Sequence, residues 1–202
     1  INFETLPVAG APDQVDIRIT VKERLVNNFQ AGIGYSDTDG LLINASVTLK
    51  NLYGTGRELL FSVDNSSANR QFNISFLDPY WTQSGVSRAF NLNVAHTDAA
   101  AAETAPYTMD TKGAGLNFGI PISEERSIGL GLNYEFVTIN TTANSALVAT
   151  SFVTAYGNEH GVFRLNFSWA RDSLDSALFP SRGAFQKLQI ESTLPGGDLE
   201  YY

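Results

Sequence analysis

The chain has no cysteine, two histidines and one methionine, and only 17% of its 202 residues are charged. Without thiols there is neither a disulfide framework nor thiolate chemistry. His96 and His160 lie far apart with no metal-ligand spacing around them, so both read as solvated histidines of loops or strand ends, and no metal is expected. There is no G-x-S-x-G element and no phosphate-binding loop. Asp37 and Asp39 read as turn residues and Glu124-Glu125-Arg126 as a solvated turn. The expectation is a protein that is not an enzyme and takes no cofactor. A formal net charge of −8 argues against nucleic acid as a partner.

Long apolar runs are also missing, and none approaches the roughly 18 residues of a transmembrane helix. Yet the hydrophobic content is an ordinary 43%, and charge falls well below the roughly 25% of soluble domains. A chain of this composition that crosses a bilayer does so with strands, because a closed barrel is the other architecture that satisfies every backbone group in hydrocarbon. The chain opens Ile1-Asn2-Phe3 without a charged and then apolar leader, so export implies sequence upstream of it.

What is present is alternation. Leu41, Ile43, Ala45, Val47 and Leu49 share one face, with Asn44, Ser46 and Thr48 on the other; after the turn Asn51–Gly56, Leu59, Phe61 and Val63 resume it. Period two means strands. The polar face is small, amide-rich and uncharged, which suits a wet barrel lumen with the apolar face turned to lipid. The same pattern recurs at Phe29–Tyr35 and Phe72–Phe76. It continues through Phe90–Val94, Ala114–Ile120 (stopped by Pro121), Ile128–Phe136, Phe163–Trp169 and Phe185–Leu194, where the phase slips between Phe185 and Leu188. Asp37-Thr38-Asp39-Gly40 reads as a hairpin turn, and about Thr97 to Asp110 as a long polar, alanine-rich loop. One end has tight turns (Asn51–Gly56, Tyr80–Gly85, Pro121–Arg126) and the other longer loops, as outer-membrane barrels do. Tyr35, Tyr53, Tyr80, Trp81 and Trp169 fall towards strand ends, as an interfacial aromatic girdle requires. Asn144 or Ser145 caps an expected short helix through Tyr156, with Gly157 just past its end and Val148, Phe152 and Tyr156 on one face; an extra strand is the alternative.

Residues 1–24 differ. A turn over Pro7 and Ala9-Gly10-Ala11-Pro12-Asp13 precedes Val15, Ile17, Ile19 and Val21, which alternate with Asp16, Arg18, Thr20 and Lys22. That charged face reads as the last strand of a soluble domain, with Leu25–Asn27 as the junction.

Several motifs, in order, resemble one family: Pro7, Gly10, Pro12-Asp13-Gln14-Val15-Asp16 and Val21-Lys22-Glu23-Arg24; Phe29–Tyr35 with Gly32 and Gly34; Asn51-Leu52-Tyr53-Gly54-Thr55-Gly56; Asp78-Pro79-Tyr80-Trp81 with Gly85-Val86-Ser87; Gly119-Ile120-Pro121-Ile122; and Asp172-Ser173-Leu174-Asp175 through Phe179-Pro180-Ser181-Arg182-Gly183. Together they resemble the POTRA-plus-barrel insertase superfamily of the bacterial surface antigen type, in its outer-membrane assembly-factor branch. The resemblance implies an all-β fold: an antiparallel up-and-down transmembrane barrel, here about nine strands of an expected sixteen (residues 25–202), preceded by the end of a periplasmic POTRA domain (residues 1–24). The family's arginine-glycine-phenylalanine loop and closing last strand belong to the second barrel half, outside this sequence.

The implied function is insertion of client β-barrel proteins into the outer membrane, with accessory lipoproteins and outer-membrane lipids as further partners. In the family, the first strand forms a lateral seam and accepts client strands by β-augmentation; here that strand is Asn28, Phe29, Gln30, Ala31, Gly32, Ile33, Gly34 and Tyr35. Gly32 and Gly34 weaken a strand and leave an edge as a template; alternatively they relieve crowding inside the barrel. Tyr53, Tyr80, Trp81 and Trp169 are the expected membrane-interface aromatics. The alternatives are a two-partner secretion or translocation-and-assembly relative, a passive porin whose selectivity is set by lumen charges such as Glu135 and Arg164, and a soluble β-sandwich binding module.

Overall fold

The computed structural model describes residues 2–7, 14–21, 27–37, 39–101, 106–142, 144–176 and 178–198. Strands β1 (Asn2–Pro7) and β2 (Val15–Thr20) pair as an antiparallel two-stranded sheet. β3 (Asn28–Ser36), β4 (Gly40–Leu49), β5 (Glu58–Asn65), β6 (Asn69–Asp78), β7 (Ser87–Asp98), β8 (Tyr107–Ser123), β9 (Arg126–Thr141), β10 (Glu159–Asp172) and β11 (Phe185–Thr193) form a nine-stranded sheet in strict sequence order. Every neighbouring pair is antiparallel. A helix, α1 (Leu147–Tyr156), lies between β9 and β10.

Register follows the hydrophobic pattern, because a slip of one residue would move a strand's whole apolar set to the other face. Phe29 pairs with Val47, Val47 with Phe61, Phe61 with Ile74 and Ile74 with Leu92. The same face continues through Leu116 and Leu132 to Leu165. Among the described residues few side chains are buried, and the large apolar residues of this face are mostly exposed. The sheet holds its apolar surface outward rather than around a core.

The strand count agrees with the sequence reading, and several boundaries do not. β1 is an additional strand: its Phe3 and Thr5 face Ile19 and Ile17, but its own alternation is too weak to announce it. Pro7 ends that strand rather than sitting in the turn. The expected loop over 97–110 shrinks to residues 99–106, since β7 runs to Asp98 and β8 starts at Tyr107. Pro121 does not stop β8, which continues to Ser123 across a register shift between those two residues; proline is tolerated at such bulges. β11 pairs with β10 without a slip from Phe185 to Thr193, so Phe185 simply takes the polar face at the strand's end, and Leu194 lies beyond the strand. Tight connections occur at both ends, since 37–39 and 66–68 have three residues each and 124–125 two, while 173–184, at the end that carries the expected tight turns, is long. The turn over 9–13, Lys22-Glu23-Arg24, Leu25 and Val26 of the junction, and Thr38 lie outside the described residues.

The helix forms as expected but is capped differently. Its N-cap is Ala146, without a side-chain hydrogen bond. Ser145 Oγ instead accepts the Thr142 N–H at 2.7 Å and donates to the Pro106 carbonyl, tying the two neighbouring loops together. Gly157, at φ 88, ends the helix with its N–H on the Val153 carbonyl, a backbone conformation that glycine adopts without strain.

Candidate functional site: two faces and a free edge

The outward face is an apolar belt with charged margins. On β6, Phe76, Ile74 and Phe72 face outward between Asp78 and Arg70; on β7, Phe90, Leu92 and Val94 do so between Arg88 and His96. Eight residues at about 3.4 Å each, on strands tilted by about 40°, give a height of roughly 21 Å, near the ~25 Å belt of membrane barrels. Charges bracket the belt and stay out of its centre, which is the pattern lipid demands.

At one margin Arg57 Nε donates to Asp78 Oδ2 at 3.0 Å, and Asp78 is nearly buried. Beside them the Arg88 guanidinium stands 5.0 Å from the Trp81 ring centroid and 5.2 Å from that of Phe90, while Trp81 packs on Phe118 at 5.5 Å. The connections after β4, β6, β8 and β10 share this end of an up-and-down sheet. Tyr53, Tyr80, Trp81 and Trp169 therefore fall at one end, and Tyr35, beside the 37–39 turn, falls at the other. Tyr53 is 95% exposed and holds a left-handed φ of 53, as does Asn51 at φ 55. That turn is stitched by Asn51 Oδ1, which accepts the Gly56 N–H at 2.7 Å.

The inward face pairs glycine with a small polar residue directly across the strand. Gly115 faces Asn133 and Gly131 faces Asn117, and a Cβ on either glycine would overlap the facing amide. Gly32 stands the same way to Asn44, whose Oδ1 would lie 2.5 Å from an added Cβ, whereas Gly34 meets only Leu42 at 3.8 Å. Crowding thus explains Gly32 and leaves Gly34 unexplained by packing. Other polar side chains bridge strands: Asn73 Nδ2 donates to Ser62 Oγ at 3.3 Å and Ser75 Oγ to Asn91 Oδ1 at 2.8 Å. Arg164 and Glu135 form an ion pair on this face, so these two lumen charges largely cancel. A hollow of about 570 Å³ opens here over Asn117, Gly131, Asn166, Ser168 and Gln189.

β3 is an edge: among the described residues its only strand partner is β4. Phe29, Ile33 and Tyr35 face outward at 70%, 78% and 76% exposure, more open than most apolar residues of the interior strands. Half of the strand's backbone groups therefore face away from β4, as half of those of β11 face away from β10, on the sides where further strands would pair.

Of the two histidines, His160 departs from the expected solvated state, while His96 lies near a strand end and stays partly exposed. His160 is 1% exposed, with Nε2 3.1 Å from the Gly157 carbonyl and its ring 5.1 Å from Phe152 of α1. His96 lies within β7, its Nδ1 2.7 Å from Asp110 Oδ1.

The connection 173–184 is long yet ordered by one carboxylate. Asp175 accepts the Ser181 hydroxyl at 2.6 Å and the N–H groups of Ser181 and Arg182 at 2.8 and 3.0 Å. The Ser181 hydroxyl first, then those N–H groups, lower its pKa to about 2. A folded pKa below the unfolded value makes the stabilisation present above about pH 3.8 and lost as pH falls towards about 2. Hydrogen exchange of the Arg182 amide in the full-length protein should therefore accelerate as pH drops through that window, after correction for the intrinsic rate. D175N should show faster exchange at neutral pH, and an unchanged rate would remove Asp175 as the organiser.

An open-ended antiparallel sheet with an apolar outward belt and a polar inward face defines this as a membrane β-barrel protein. Residues 51–202 match the Omp85 superfamily domain, and the chain belongs to that superfamily. It is 31% identical over 212 aligned residues to "Outer membrane protein assembly factor BamA" of Neisseria meningitidis serogroup B, covering 100% of this chain and 27% of that protein. It is 24% identical over 190 residues to the protein of the same name from Nitratidesulfovibrio vulgaris, covering 93% of this chain and 22% of that one. The chain thus spans about a quarter of the length of these curated relatives. Among solved structures, it is similar to the crystal structure of BamA from Haemophilus ducreyi lacking POTRA domains 1–3. The TM-score is 0.71 and the identity 28%, over 98% of this chain and 39% of that one.

Proposed function

We propose that this chain is part of an outer-membrane protein assembly factor that inserts client β-barrels by pairing their strands with the free edge of β3. The kinship with two proteins named as such factors supports the activity. The observation that carries the mechanism is the place of β3 as the first strand of the barrel sheet: among the described residues it pairs with β4 alone, as β11 at the other edge pairs with β10 alone, and its Phe29, Ile33 and Tyr35 are widely exposed. A client strand arriving there satisfies its backbone groups and turns its apolar side chains to lipid in one step, so its own folding supplies the driving force. The residues of β2, with charged Asp16 and Arg18 on one face, belong in this reading to the end of a periplasmic POTRA domain. Tyr53, Tyr80, Trp81 and Trp169 would then lie at the periplasmic membrane interface, and accessory lipoproteins and outer-membrane lipids would be the remaining partners. No catalytic residue or cofactor enters this reading.

The test is reconstitution. Full-length protein in liposomes should accelerate folding of a urea-denatured client barrel over empty liposomes, read by the heat-modifiable mobility of the folded client. Equal rates with and without the protein, once its accessory partners are supplied, would contradict the proposal.

A further inference from the structure

We propose that Arg70 and Lys112 form a binding site for the phosphate of a lipid headgroup in the leaflet on the α1 side of the membrane. The inference rests on the outward belt meeting lipid. Across the belt's α1-side margin, cross-strand pairing lines up Arg70, His96, Asp110, Thr138 and Glu159 in one outward-facing row. Lys112 sits one row deeper, between Val94 and Phe136. A lysine on the lipid face is costly at mid-depth and tolerated only near the interface, where its ammonium can extend towards the headgroups.

Among the described residues, Asp110 and Asp98, the acids beside this pair, are already engaged. Asp110 is held by His96 at 2.7 Å, and Asp98, in the next row outward, accepts the N–H groups of Ala100 and Ala101 at 3.0 Å each. Glu159 lies two strands beyond Lys112. Among the described residues neither Arg70 nor Lys112 has a carboxylate within ion-pair distance, and both are exposed. At the opposite margin Arg57 and Arg171 hold Asp78 and Glu125 and Arg88 lies over two aromatic rings, while Arg126, beside Arg171, stands without a carboxylate partner among the described residues. Arg70 and Lys112 stand two strands apart, about 10 Å laterally. A hollow of about 240 Å³, lined by His96, Asp110, Lys112, Phe136 and Thr138 but not by Arg70, opens on the same face, its one carboxylate being the Asp110 that His96 holds. Two unpaired cations above a lipid-facing belt match a phosphate-bearing lipid in charge and in position, with charge-assisted hydrogen bonds as the attraction.

The test uses full-length protein in non-ionic detergent, incubated with diphosphorylated lipid A or its dephosphorylated form, with bound lipid counted by native mass spectrometry. R70Q/K112Q should retain about five-fold less diphosphorylated lipid A than wild type, since both charge-assisted contacts are lost. The dephosphorylated form should bind both proteins equally, and R70K/K112R should restore retention. Unchanged retention by the glutamine variant overturns the site, as does an equal fall for both lipids, which would mean lost packing. Displacement of lipid A by inorganic phosphate overturns the lipid assignment. If the double variant lacks heat-modifiable mobility, K112Q alone is measured against the same outcomes. Failure of wild type to take up either lipid would refute the belt itself, a result distinguishable from unchanged retention.

Discussion

Proline at one of two adjacent positions, Ile33 or Gly34, is expected to abolish most client assembly while leaving the barrel folded. Successive residues of an antiparallel edge strand direct their N–H groups alternately to the paired neighbour and away from it. One of these two substitutions therefore removes a donor from the free edge, and the other removes a hydrogen bond to β4. Loss of the β4 bond should lower the yield of folded protein. Loss of the free-edge donor should leave that yield intact and reduce mature client barrels in the membrane about ten-fold, the effect of roughly 1.4 kcal/mol at a rate-determining pairing. Client levels are read in membranes matched for heat-modifiable full-length protein. Wild-type client levels with both variants, at wild-type amounts of folded protein, would end the pairing mechanism.

The second large effect is expected at Gly183. Its φ is +99, and an added Cβ would come within 2.5 Å of the Ser173 carbonyl carbon and 2.9 Å of Leu174 Cα. These are backbone atoms, in the same connection that Asp175 ties down, so the neighbours cannot rotate away. G183A should cost roughly 2–5 kcal/mol, combining the left-handed penalty with overpacking. Gly56 is the control: its φ is +73 but nothing lies within 4 Å of its added Cβ. G56A should cost only the conformational term, about 1–2 kcal/mol. Urea midpoints of the folded full-length protein separate the two, and equal midpoints would show that the 173–184 connection is not packed as described.

The sheet was legible because its two faces differ in chemistry at every step. Leu41–Leu49 and Leu59–Val63 alternate so regularly that register had one solution. Boundaries were harder where alternation fades. Thr108 and Asp110 on β8 are outward-facing but polar, so they read as loop, although they only mark the belt's margin. Pro121 read as a stop because a bulge cannot be seen in a linear pattern. β1 was missed because Phe3 and Thr5 are its only plausible paired signal and Leu6 falls on the opposite face.

Of the candidate site, the seam role of β3 is implied by family resemblance alone, since the sheet order leaves both β3 and β11 at an edge among the described residues. The sequence could not separate Gly32 from Gly34, because Asn44, which crowds the first alone, is set by cross-strand register. The pairings of His160 with Gly157 and of Arg164 with Glu135 are likewise products of the fold. Arg70 and His96 share a row only once β6 and β7 are in register, and nothing local in either strand announces it.

The central claim is that clients pair with β3, and site-specific cross-linking tests it most directly. A photo-reactive residue placed at each position from Asn28 to Tyr35 of the full-length protein would be activated while a client barrel is arrested part-way through assembly. The account predicts client adducts along β3 in an alternating pattern, with weak or no adducts from matched positions on interior strand β6. Adducts spread evenly over β3 and β6, or confined to the hollow over Asn117 and Asn166, would contradict it.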